Sequence, residues 1–113
     1  SAETGSSQAF FELLIDKGYL EKQGDGPLEF AKTYAFVAGA KNDAEQVKGL
    51  LKAIQQEPFA NVTEVTEPIL KSLIKGLIRN DEETEMAKKI LSISEDERIS
   101  SMQKIQALLA LYQ

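Results

Sequence analysis

The densest set of reactive side chains in this sequence is the carboxylate group Asp81, Glu82, Glu83 and Glu85. Oxygen ligands of this kind suit a hard divalent cation, but the usual calcium loop needs spaced ligands around a central glycine, and no such ladder is present. The group reads better as the solvated start of a helix, where negative charge complements the helix dipole. Glu95-Asp96-Glu97 reads the same way, as a cap before the last helix. Met86 and Met102 would suit an axial haem ligand, yet there is no histidine to serve as the second ligand and no attachment cysteine, so both read as core filler. Gly24-Asp25-Gly26 lacks the preceding strand and the glycine spacing of a phosphate loop and reads as a turn. Asn61-Val62-Thr63 fits the glycosylation sequon, which matters only in a secretory eukaryotic setting.

The remaining chemistry is bounded by what is missing. With no cysteine and no histidine, thiol nucleophiles, thiolate or imidazole metal sites and Ser-His-Asp relays are excluded within this sequence. A catalytic carboxylate pair would need at least one acid inside an apolar stripe, where burial raises its pKa, and no predicted stripe contains one. The sequence therefore predicts no catalytic, cofactor-binding or metal-ligating residue, and the chain reads as non-enzymatic.

Thirteen basic and eighteen acidic residues give a net charge of −5, which opposes nucleic acid as a partner. The aromatic residues Tyr19, Tyr34, Tyr112, Phe10, Phe11, Phe30, Phe36 and Phe59 lack a basic surface for base stacking and are expected to be core and loop anchors. No apolar run reaches the ~20 residues needed to span a bilayer, so direct membrane insertion is not expected. At 113 residues and 42% hydrophobic content the chain can bury a core without metal or disulfide, and it is expected to form one all-helical domain over 1–113 with a flexible lead over residues 1–6.

Six amphipathic stretches would position these residues. The first carries Phe10, Phe11, Leu13, Leu14 and Ile15 behind a Ser6/Ser7 cap and stops at Gly18. After a loop over Glu21 to Pro27, the second runs from Leu28 to Ala40, with Leu28, Ala31, Ala35 and Ala38 on one face, small enough to admit a neighbouring backbone. Lys41-Asn42-Asp43 is a tight turn in which Asn takes the left-handed conformation and Asp43 caps the third helix, whose stripe is Val47, Leu50, Leu51 and Ile54. Pro58 ends that region, with Phe59 as a loop anchor. The fourth helix is expected to start at Thr66-Glu67-Pro68 and, being apolar around much of its girth, to pack on two neighbours. Arg79-Asn80-Asp81 leads into a fifth helix with Met86, Ile90 and Leu91, and Ser94 to Glu97 would cap a sixth that carries Ile99, Met102, Ile105, Leu108 and Leu109.

The turn at 41–43 recurs 38 positions later at 79–81, an interval typical of two-helix repeats that stack to close their cores. The expected fold is all-α, about six helices in antiparallel hairpins, as a HEAT-like α-α superhelix or an irregular bundle. The last helix stands where the leading helix of a third hairpin would begin, as in a segment cut from a longer array.

Ala38-Gly39-Ala40-Lys41-Asn42-Asp43 with Glu45, Val47 and Leu50-Leu51, then Ile69-Leu70-Lys71-Ser72-Leu73-Ile74-Lys75-Gly76-Leu77, and finally Glu95-Asp96-Glu97-Arg98 to Leu108-Leu109 carry a resemblance over Ala35 to Leu111. The stretch resembles the helical-repeat region of large bacterial haem-binding-domain proteins, also called membrane-bound dehydrogenase-type proteins. The resemblance implies a solenoid between a sugar-dehydrogenase-like β-propeller and a C-terminal cytochrome c domain, in proteins exported from the cytoplasm. It implies no functional residue here, because the haem attachment residues of that family have no counterpart in this sequence. The expected function is a spacer or interaction module that contacts a protein or neighbouring domains of its own chain. The alternative is a small stand-alone ligand binder or enzyme with a carboxylate-lined pocket between helices.

Overall fold

The computed structural model describes residues 25–56, 62–79 and 83–112. Among these there are five α-helices and no strand: α1 Asp25–Lys41, α2 Ala44–Gln55, α3 Thr63–Ile78, α4 Glu85–Glu95 and α5 Ser101–Leu111. The helix expected at Phe10 to Ile15, its stop at Gly18, the anchors Tyr19 and Phe59, Pro58, and the turn residues Asn80 and Asp81 lie outside the described residues.

The first turn forms as its residues dictate. Asn42 takes a left-handed φ of 55°, which Asn tolerates better than most residues with a β-carbon. Its N–H donates to the carbonyls of Ala38 and Gly39 and so closes α1. Asp43 then caps α2, its carboxylate accepting from the N–H groups of Glu45 at 3.0 Å and Gln46 at 3.3 Å.

Four helix starts differ from expectation, among them that of α4, which begins at Glu85 rather than with Glu83 in its first turn. α1 begins at Asp25 rather than near Leu28, so Asp25-Gly26-Pro27 form its first turn instead of a loop; a proline near a helix start removes an N–H that has no intrahelical partner. α3 begins at Thr63, not at Thr66, and has no side-chain cap. Thr66 is instead 1% exposed inside the helix, with its hydroxyl donating to the Val62 carbonyl at 3.2 Å. The earlier start lets Val65 bury and leaves Pro68 inside the helix, where the carbonyl it cannot serve belongs to exposed Glu64. α5 begins at Ser101, while Ser94 and Glu95 still belong to α4. A reciprocal capping box decides that boundary: Gln103 N–H donates to Ser100 Oγ, and Ser100 N–H donates to Gln103 Oε1.

The most intimate packing joins α1 to α3, not α1 to its turn neighbour α2. The reason lies in side-chain size. Ala31, Ala35 and Ala38 are buried on one face of α1, and at the close approach Gly39 meets Gly76, each the third residue from the end of its helix. The two helices therefore lie side by side with their C-terminal ends together, backbone against backbone. A β-carbon on Gly39 would meet the carbonyl oxygen of Leu73 and stand 2.8 Å from the Leu77 nitrogen. One on Gly76 would meet the Phe36 carbonyl oxygen and stand 2.9 Å from the Ala40 nitrogen. The Arg79 guanidinium, at the end of α3, lies 5.7 Å from the Phe36 ring centre on α1, within cation–π range.

The other helices meet through large side chains. Val47, Leu50, Leu51 and Ile54 of α2, Ile69 and Leu73 of α3, Ile90 of α4, and Ile105 and Leu108 of α5 form one core, each at most 2% exposed. The helix expected to pack on two neighbours, α3, packs against three, α1, α4 and α5.

Candidate functional site

Of the carboxylate group Asp81, Glu82, Glu83 and Glu85, Glu83 and Glu85 are described and both are exposed, while Asp81 and Glu82 lie outside the described residues. Thr84 rather than an acid caps α4, its hydroxyl accepting from Ala87 N–H at 3.1 Å. Glu83 therefore precedes the helix, and Glu85 remains in its first turn, 3.9 Å from Lys88. Among the described residues no group of three acidic side chains converges as a metal site.

Asp96 acts as a turn former, not as a cap for the last helix. Its carboxylate accepts from the Arg98 backbone N–H at 3.0 Å and from the guanidinium at 2.9 and 3.1 Å. These bonds from Arg98 hold its carboxyl below the ordinary value of an aspartate. Both side chains belong to the exposed α4–α5 connection, so the pair shapes a loop and supplies little stability.

The expectation that the methionines and aromatics fill the core holds in part. Met102 packs against it, as do Tyr34 and Tyr112. Met86 is 40% exposed and Phe30 61% exposed. Val37, seven residues beyond Phe30 and so on the same side of α1, is 43% exposed. α1 buries its alanines against α3, carries Glu29, Lys32 and Thr33 as a polar stripe, and leaves Phe30 and Val37 exposed.

Tyr112 has a hydroxyl shut off from solvent with no hydrogen-bond partner. Burial pushes its phenol pKa above the ordinary 10.0. A raised acid pKa means the folded state holds its proton where the unfolded state has lost it, so stability falls as pH rises through about 10. Tyr112→Phe removes the unpaired hydroxyl and should leave the protein as stable or about 1 kcal/mol more stable at neutral pH. Urea unfolding at pH 7 and pH 11 would show the gain, and it would show the variant freed of this component of alkaline destabilisation.

One half-enclosed cavity of about 200 Å³ opens where α3, α4 and α5 meet. Glu67, Leu70, Lys71 and Ile74 line it from α3, Ser94 from α4, and Ser101 and Lys104 from α5. Leu70 and Ile74 are nearly buried, at 3% and 5% exposure, and give it an apolar floor. Glu67 Oε2 accepts from the Ser101 hydroxyl at 3.0 Å. Lys104 Nζ donates at 2.8 Å to the Ser94 carbonyl, one of the terminal carbonyls α4 cannot satisfy itself. The sequence carries little sign of these residues because each pair, 67 with 101 and 94 with 104, is made by tertiary packing. The only local signal was spacing, with Glu67 and Lys71 four apart on α3 and Ser101 and Lys104 three apart on α5.

Comparison of the chain with protein families, with curated proteins and with solved structures gave no match.

Proposed function

We propose that this chain is a non-enzymatic helical module that works by contact, holding a protein surface or a neighbouring domain of its own chain against the outer face of α1. The observation that carries this reading is the distribution of apolar residues on α1. The alanine side of α1 is covered by α3, while on another side the apolar Val37 is 43% exposed, and an apolar residue left at the surface of a packed helix suits a contact with another surface. The interval between the two turns and the stacking of α1 on α3, one repeat later, favour a repeat-type array, and a HEAT-like superhelix is the arrangement proposed for these helices. By its resemblance to the haem-binding-domain proteins, the module would serve as the spacer of a multidomain exported redox protein, with the redox chemistry on other domains.

None of the acids among the described residues is buried. The buried set among the described residues contains one polar residue, Thr66, so none of these acids sits in the low-dielectric setting that tunes a general acid or base. For the alternative of a carboxylate-lined pocket, Glu67 is the acid at the cavity between α3, α4 and α5, and Glu95, Asp96 and Glu97 line a shallow, open depression at the α4–α5 connection.

Val37→Asp tests the proposal. A charge placed on an outward-facing contact residue should change folding stability by less than about 1 kcal/mol, while the complex that the wild-type chain forms in its source cells is lost on size-exclusion chromatography. A stability loss above about 2 kcal/mol would show that the chain itself closes over Val37 and would contradict the contact role.

A further inference from the structure

We infer that the cavity between α3, α4 and α5 is a binding site for a small organic monocarboxylate with a short apolar tail. The charges at its wall select the sign of the ligand. Two ammonium groups, Lys71 and Lys104, face one carboxylate, Glu67, so the lining carries a net charge of one positive unit on a protein whose total is −5. Glu67 precedes Lys71 by four residues, the favoured order for a helical ion pair. It accepts from Ser101 across the helix interface instead, and Lys71 has no ion pair among the described residues.

Lys104 uses one of its three N–H donors on the Ser94 carbonyl. Its remaining donors, the Lys71 ammonium and the Ser94 hydroxyl can serve the two oxygens of a carboxylate. The Glu67 carboxylate disfavours a doubly charged anion at the same place, which sets a single negative charge as the match. Leu70 and Ile74 make the floor apolar, and contact with a short alkyl chain would remove that surface from water. A volume of about 200 Å³ is below the usual range for drug-sized ligands, so the tail is short. This site is separate from the outer face of α1, and either can fail without the other.

Butyrate is the probe, with butanol and butylamine as controls of equal tail length. Titration followed by methyl and amide NMR should give saturable shifts at Leu70, Ile74, Ser94 and Ser101 with butyrate, at a dissociation constant on the order of 1 mM. Both controls should bind about tenfold more weakly or not at all. Lys71 is exposed, so Lys71→Gln should keep the fold, shown by an unchanged circular dichroism spectrum, and weaken butyrate binding about tenfold; Lys71→Arg should retain it. Equal shifts with butanol or butylamine would overturn the proposal by showing an apolar cleft without charge selection. So would equal binding of inorganic phosphate, an absence of saturation with butyrate by about 50 mM, or unchanged butyrate binding in Lys71→Gln.

Discussion

Gly76→Ala should destabilise the protein by about 2 kcal/mol or more, although alanine is the better helix former by about 1 kcal/mol. The added methyl would meet the Phe36 carbonyl oxygen and stand 2.9 Å from the Ala40 nitrogen, both backbone atoms of α1. Neither can swing aside as a side chain would, so α1 and α3 must separate along the face where Ala31, Ala35 and Ala38 are buried. Separation opens space that the alanines cannot fill, and loss of close contact on both sides adds to the strain. Gly39→Ala should act in the same direction, because its methyl would meet the Leu73 carbonyl and the Leu77 nitrogen. Chemical denaturation of both variants checks the expectation, and an increase in stability for either would show that the two backbones are not in contact.

Leu73→Ala is expected to cost about 2–5 kcal/mol. Leu73 is 0% exposed in the middle of α3, and α3 packs on α1, α4 and α5. Truncation there leaves a cavity bounded by several helices, which cannot all collapse onto it at once. A loss below about 1 kcal/mol in the same denaturation experiment would place Leu73 on a surface helix and contradict the packing order.

The parts of this fold that were legible in the sequence are those fixed by local chemistry. Asn42 and Asp43 announce a left-handed C-terminal residue followed by a cap, and the chain turns there as those residues require. The alanine face of α1 likewise implied a close neighbour, because small residues leave room for little else. The sequence did not identify which neighbour, since the α1–α3 contact depends on Gly39 and Gly76 meeting across residues far apart in the chain. Competing local signals misplaced the other boundaries. Pro68 suggested a helix start that burial of Val65 and Thr66 overrides, and the acids at 95–97 drew attention from the Ser100–Gln103 capping box five residues after Glu95. The side of α1 that carries Phe30 and Val37 could not be told from the alanine side by periodicity, because both are apolar. The candidate ligand cavity was invisible for a related reason: its lysines, serines and glutamate look like ordinary surface residues until three helices bring them together.

The contact role of α1 is tested most directly by placing a photo-crosslinking residue at Val37 in the protein in its source cells, with a second at Lys75, an exposed position on α3, as the control. The account predicts a discrete adduct, to another protein or to another domain of the same chain, formed from Val37 and not from Lys75. Adducts of equal yield from both positions, or none from Val37, would contradict it.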